Sequence, residues 1–399
     1  VLKIRAVTLG MELPAPQARP EPFAAAAEFL GEARGAFGAA GLEVQTTRLA
    51  GPELVAGPTE LVGWAADTEQ AASAAGIEYL SLGRLSADAD GIQIVAEQVA
   101  PVLAAGSIAF LSADLLDPRT RLPSVPMAAA CARAVRALAV STDLGFGNLR
   151  FCATAHCPPN IPFLPAAYHG GGPPKFSVAV QAADVVLSAL GGGGGMAASE
   201  DRLVEALEAA AAPIERVADA LSAASGFAFI GIDLSPAPFP TDDVSIGAAL
   251  EAGGVERFGA PGTLYVAALV TRAIRRTRLR RCGYSGLMLP VLEDSVLARR
   301  MAERPMSLHE LLVYSAVCGT GLDTVPLPGD VSEAELAGVY LDVAALSVAL
   351  DGKPLTARLL PVPGASAGEA TTYTFDYFAN SRVPPAVGWG AAGVLARGG

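Results

Sequence analysis

The chain is 399 residues long, with 52% hydrophobic and 17% charged residues and a mean hydropathy of +0.41. Intrinsic disorder needs low hydrophobicity and dense charge, so it is excluded, and the length allows a large buried core. A net charge of −12 and a pI near 4.8 repel phosphate backbones, which excludes nucleic acid as an expected partner.

Short apolar runs alternate with Ala-rich helical stretches. The first half reads as strand Leu2–Leu9, helix Pro22–Ala40 ended by Gly41, strand Leu42–Arg48, helix Thr68–Ala75 and strand Ile77–Leu82. Helix Ile92–Ala105, strand Ile108–Ala113, helix Pro126–Val140 and strand Leu149–Thr154 follow. A Pro- and Gly-rich break runs from Pro158 to Lys175, and helices are expected over Ser177–Leu190 and Ser199–Ala224 on either side of Gly191–Gly195. Strand Phe227–Leu234, helices Val244–Ala252 and Gly262–Arg276, strand Gly286–Leu292 and helix Ser295–Ala302 come next. The periodicity of Ser307–Val317 does not separate helix from strand. Strand Thr324–Leu327, helix Ser332–Leu350, strand Pro354–Pro361 and a last edge strand Thr371–Phe378 complete the chain. About ten strands separated by helices predict an α/β fold, and an open sheet of that width is near its limit, which favours a closed barrel. The reading is one domain over 1–399, with a long loop and helical insertion at about 157–225.

No run of about 18 uninterrupted apolar residues occurs, so no membrane span is expected. Val1–Met11 carries Lys3 and Arg5 and lacks a signal peptide's small-residue cleavage site. The five cysteines are odd in number and too few for a disulfide scaffold, so a reducing cytoplasm is the expected compartment. An apolar, low-charge chain of this length is compatible with a homo-oligomer.

Four blocks carry residues suited to chemistry. Cys282-Gly-Tyr-Ser-Gly-Leu-Met-Leu-Pro-Val-Leu-Glu-Asp294 runs an apolar segment into two carboxylates, Glu293 and Asp294, where α/β folds place ligand groups; Asp294 could equally cap the next helix. Cys282 and Ser285 are substrate-contact candidates there. In Ser315–Asp330, Cys318 is followed by Gly319, Thr320 and Gly321, a setting for an exposed thiol and free backbone amides, although a small buried thiol fits the same residues. Asp323 follows, and Asp330 reads as a helix cap. Asp233 ends an apolar strand, where an acid is costly unless paired or facing a cleft. Tyr168 and His169 sit on the long loop as a lid. Cys152 to Cys157 holds two thiols and His156 without the second half of a zinc set. Asp233, Glu293, Asp294 and Asp323 would suit Mg²⁺ or Ca²⁺ if they converged. Arg272, Arg275, Arg276, Arg278, Arg280 and Arg281 could hold an anionic substrate, or form a solvated helix end.

Arg5–Gly10, Phe163–His169 with Phe176–Val178, Gly231–Pro238, Cys282–Asp294, Cys318–Asp330 and Leu355–Gly364 together resemble the family called domain of unknown function 711, or uncharacterised protein family 0210. The resemblance implies a fold similar to the ten-stranded α/β barrel of glycyl-radical enzymes such as pyruvate formate-lyase, with Cys318 on a central finger loop. The radical-glycine motif is not met. The tail Asn380-Ser-Arg-Val-Pro-Pro-Ala-Val-Gly-Trp389 has proline where that glycine should fall, and family and fold carry no reaction with them. The expected function is a small-molecule enzyme of lyase, isomerase or hydrolase type. Cys318, Asp233, Asp294, Asp323 and His169 would do its chemistry on a polar or anionic substrate, and no cofactor is identified. A metal-assisted enzyme with a bystander cysteine and a non-catalytic ligand sensor are the alternatives.

Overall fold

The computed structural model of the protein describes residues 2–14, 20–54, 61–386 and 388–398. Val1 of the opening run and Val387 of the tail lie outside the described residues. In chain order the elements begin β1 (Lys3–Gly10), α1 (Glu21–Ala39), β2 (Val44–Ala50), β3 (Glu53–Leu54), α2 (Leu61–Ala74), β4 (Tyr79–Leu85), α3 (Ala89–Glu97) and α4 (Val99–Ala105). They continue with β5 (Ala109–Asp114), α5 (Val125–Ser141), β6 (Phe151–Ala155), β7 (Lys175–Gln181), α6 (Ala183–Gly191), α7 (Met196–Ser225) and β8 (Ala228–Ala237). The rest are α8 (Ile246–Ala252), α9 (Thr263–Arg276), α10 (Ser295–Glu303), α11 (Leu308–Ser315), β9 (Gly321–Pro328), α12 (Glu333–Ala349), β10 (Leu355–Val362) and α13 (Ala392–Leu395). Among the described residues no helix is long and apolar enough to cross a membrane.

The ten strands form one mixed sheet in the order β8-β7-β1-β2-β4-β5-β6-β10-β9, with β3 attached to β4. β1, β2, β4, β5 and β6 are parallel. β7 is antiparallel to β1 and β10 to β6, and each carries a parallel partner, β8 and β9. The sheet is not closed into the expected barrel, because the edges β8 and β9 do not pair. Between them runs the segment 281–291, which touches each edge through a single parallel bridge, Arg281 to Ile232 and Pro290 to Asp323. The strand expected at Gly286–Leu292 does not form. Gly283 (φ +62°) and Ser285 (φ +41°) bend the chain out of extended geometry, and Pro290 has no N–H to give a ladder.

Two further elements differ from expectation. The helix expected at Ser177–Leu190 begins only at Ala183, because Phe176, Val178 and Val180 alternate with Ser177, Ala179 and Gln181 and build strand β7 beside β1. The segment expected as an insertion thus supplies an interior strand of the sheet. Thr371–Phe378 is no strand; its neighbourhood holds one bridge, Ala370 to Arg382, and its aromatic side chains Tyr373 and Phe378 pack with Phe146 instead.

Alternation along the strands separates two faces. Leu355, Ala357 and Leu359 of β10, Leu80 and Leu82 of β4, and Val7 and Leu9 of β1 join the helices in the main apolar core. The residues between them, including Arg358, Ser81 and Thr8, point to the other face, and a register shift in β4 between Ser81 and Arg84 brings Arg84 there as well. Helix starts are locally encoded, as in the reciprocal capping boxes of Ser307 with Glu310 and Ser332 with Glu335.

Candidate functional site

The polar face is not left to solvent, because the loop 157–169 lies across it. A buried loop needs partners for its carbonyls, and the strands supply them. Ser81 donates to Ala167 O (2.6 Å), Arg84 to Cys157 O (3.2 Å) and Arg48 to Pro162 O (3.1 Å). Next to this loop a cavity of about 440 Å³ remains, with Arg5, Arg48, Asp233, Ser235, Glu293 and Arg358 among its walls. Tyr79, Phe110, Phe163, Phe375 and Tyr377 supply aromatic surface.

Charge is unevenly matched in this cavity. Glu293 accepts from both Arg5 (2.9 Å) and Arg358 (2.7 Å), and Arg358 also pairs with Asp323 (2.7 Å). Arg48 donates only to neutral oxygens, Thr46 Oγ1 (3.0 Å) and Pro162 O. Among the described residues it has no carboxylate in an ion pair. Burial and the neighbouring Arg5 charge push its guanidinium down to about 9. On Arg358 burial acts in the same direction, but Asp323 and Glu293 outweigh it and hold the group above its usual value. Burial raises the Asp323 carboxyl against the pull of Arg358, and its Oδ2 has no hydrogen-bond partner among the described residues.

Asp233 lies in the wall. Its Oδ1 accepts from Ser235 N (2.9 Å) and Ser285 N (3.0 Å), and its Oδ2 from Tyr284 N (3.1 Å). Burial still raises its pKa above the usual carboxylate range. These contacts hold the irregular segment against β8, and a Cβ on Gly283 would come within 2.2 Å of Asp233 Oδ2. Ser285 Oγ donates to Cys282 O (2.8 Å) within the same turn, and burial raises the half-buried Cys282 thiol.

Of the residues expected at a site, the structure therefore places Asp233 and Glu293 on the cavity wall, with Asp323 behind Arg358. Others lie elsewhere. Cys318 is fully buried in the helix-side core and lines no part of the cavity. Its sulfur accepts from Gly321 N at 3.3 Å. The amides expected to be free for an anion are engaged, since Gly319 N also donates, to Leu287 O (2.5 Å). Gly319 is small because it backs onto Gly286, whose backbone a Cβ on Gly319 would meet at 2.9 Å. Thr320 is buried and gives its carbonyl to Thr356 N (2.7 Å).

Asp294 caps two helices at once. It accepts from Val296 N and Leu297 N of α10 (both 3.0 Å), and from Ser245 Oγ (2.6 Å) and Ile246 N (2.5 Å) at the start of α8. Tyr168 and His169 belong to the buried loop and do not line the cavity. Tyr168 donates to Cys157 O (3.1 Å) with Arg84 stacked 4.0 Å from its ring, and burial pushes the phenol up to about 12. His169 bridges Asn160 Oδ1 and Gly172 O, each at 3.1 Å. Among the described residues no three His, Cys, Asp or Glu side chains gather as a metal site requires, so the four carboxylates do not form the hard-metal set.

Four arginines of the basic cluster are paired within the chain, and Arg281 donates to Thr277. Arg272 and Arg276 pair with Glu200, Arg278 with Glu208 and Arg280 with Asp219, so α9 and the residues after it are zipped to α7. The cationic residues of the cavity, Arg5, Arg48, Arg150 and Arg358, were not singled out from sequence. Their signal is a lone arginine inside an otherwise apolar strand, as in Leu355-Thr-Ala-Arg-Leu-Leu360.

The chain is similar to curated relatives of one kind. It is 39% identical over 231 residues to a UPF0210 protein of Pyrobaculum arsenaticum, covering 55% of this chain and 51% of the relative. The UPF0210 protein of Methanopyrus kandleri is 33% identical over 254 residues, 60% of this chain and 54% of the relative. That of Desulfovibrio desulfuricans is 27% identical over 340 residues, 79% and 73% respectively. The chain spans about half the length of the first curated relatives it matches. The model of one family matches residues 1–376, and the chain belongs to that family, described as Uncharacterised ACR (DUF711).

Proposed function

We propose that the cavity bounded by Arg5, Arg48, Glu293 and Arg358 binds a small anionic molecule, and that the protein is an enzyme acting on it by carboxylate acid–base chemistry. One observation carries the reading: Arg48 faces the cavity without a carboxylate, whereas Arg5 and Arg358 are ion-paired. A half-buried charge facing a cavity without a counter-charge favours an anion entering beside it. Asp233 is the proton-transfer candidate, because it lies in the same wall and burial favours its protonated form. This chemistry suits lyase or isomerase steps that move a proton next to a carboxylate. Cys318 is placed outside it.

The test is a panel of small metabolite anions incubated with the full chain and read by mass spectrometry for altered species. Turnover of one of them, abolished in Asp233→Asn but kept in Cys318→Ala, is the expected result. Loss of turnover in a folded Cys318→Ala protein returns the thiol to the mechanism. Binding without turnover makes the protein a sensor, and an absence of anion binding overturns the reading.

A further inference from the structure

Two of the cavity's arginines lack an ionic partner, and they belong to different strands of its floor. The charged walls are Arg5, Arg48, Arg150 and Arg358 against Asp233 and Glu293. Arg5 and Arg358 are engaged by Glu293 and Asp323, and Asp233 accepts from backbone amides. Arg48 and Arg150 remain, neither with a carboxylate in an ion pair among the described residues. Arg150 donates Nη2 to Leu103 O, while its Nη1 is buried with no hydrogen-bond partner among the described residues. Glu69 attracts Arg150 through space, but its carboxylate accepts from the N–H groups of Ser107 and Ile108. A buried donor left unused is costly, and an acceptor entering the cavity would satisfy it.

The sheet fixes the spacing. Arg48 of β2 is in register with Tyr79 of β4, and Phe110 of β5 with Ser81 of β4. Arg150 precedes β6, whose Phe151 is in register with Leu111 of β5. Side-chain alternation puts Arg48, Tyr79, Phe110 and Arg150 on the polar face, and all four line the cavity. The Tyr79 and Phe110 rings, edge-on with centroids 5.8 Å apart, therefore belong to the two strands between the arginines. Three strand spacings separate β2 from β6, about 14 Å between backbones at about 4.8 Å each. A ligand meeting both arginines needs a body of several atoms between two anionic groups.

We infer that the ligand carries two anionic groups at the ends of an extended, largely apolar body, one group on Arg48 and the other on Arg150, with the body across Tyr79 and Phe110. The inference rests on the proposed anion chamber and adds the ligand's class. A volume of about 440 Å³ is of small-metabolite size. A second charge-assisted contact, to a guanidinium without an ionic partner, is worth about tenfold or more in affinity.

Titration calorimetry of the full chain with suberate, octanoate, succinate and inorganic phosphate tests it. Suberate and octanoate share a body and differ by one carboxylate; suberate and succinate share both carboxylates and differ in span. The expected result is suberate binding at least about tenfold tighter than the other three, weakened at least about tenfold by Arg48→Gln and by Arg150→Gln. Octanoate binding as tightly as suberate overturns the second anionic group, and tighter succinate or phosphate overturns the extended body; in both cases the anion chamber stands. These comparisons use the unaltered protein, so they decide even where a variant fails to fold. Suberate binding that Arg48→Gln or Arg150→Gln leaves unchanged overturns the placement of that group. If none of the four binds, the inference fails, and the broader anion panel decides whether the chamber fails with it.

Discussion

The two arginine-bearing regions of this molecule use the same side chain to opposite effect. On α9 and just beyond it, arginines crowd together in sequence, reach solvent and take their carboxylates from α7. On the polar face of the sheet they come singly, one each on β1, β2, β4 and β10; Arg84 of β4 pairs with Glu53 and Asp114, whereas Arg5, Arg48 and Arg358 share too few carboxylates. A solvated pair gains little from its Coulomb attraction, because water already stabilises both charges. An interior guanidinium depends on its protein partners. The crowded region therefore staples two helices, and the sparse one has charge to offer a ligand.

Breaking the interior network has the largest expected effect. Arg358→Met leaves Glu293 and Asp323 buried without their shared cation, and a loss of about 3–5 kcal/mol is expected in chemical denaturation. A loss below about 1 kcal/mol would show that the interior pairs are as weakly coupled as the exterior ones. Arg48→Gln sharpens the comparison from the other side. It removes a charge with no ionic partner and keeps a donor for Pro162 O, so stability should change by less than about 1 kcal/mol.

The exterior region gives the smallest effect, and its sign follows from pH. Hydrogen bonding from Arg272, joined by Arg276, holds Glu200 down to about 2 from 4.5. A carboxylate depressed in the folded state contributes stability above its unfolded pKa and loses it as pH falls toward the folded value. The melting temperatures of the wild-type protein and Glu200→Gln should differ slightly and constantly above about pH 5.5 and converge below 4.5. A gap that has not narrowed between pH 5.5 and pH 3 would mean that Glu200 acts through packing.

Much of the secondary structure was legible, and the exceptions are instructive. Phe176-Ser-Val-Ala-Val180 alternates strictly, but the Ala-rich residues after it extend a helical pattern backward across it. Gly286–Leu292 has a strand's apolar content, yet its place between two edges is set by turns at Gly283 and Ser285. At the site, Asp233 and Glu293 were readable as acids ending apolar runs. Cys318 was misleading: two glycines beside a thiol can free it for chemistry or allow backbone to pack against backbone, and Gly319 against Gly286 does the latter.

The sequence by itself determined what is local: the alternation that makes each strand two-faced, the Ser-led caps of α11 and α12, and the family. Only the tertiary structure decided which charges meet. Asp294 is spent on a helix that starts 48 residues earlier at Ile246, and Glu293 beside it reaches Arg5 across 288 residues. Glu293 lies in the turn that ends the irregular segment and Asp294 is the N-cap of α10, so adjacent carboxylates meet different partners. The partner's identity depends on strand order, which no short stretch of sequence contains.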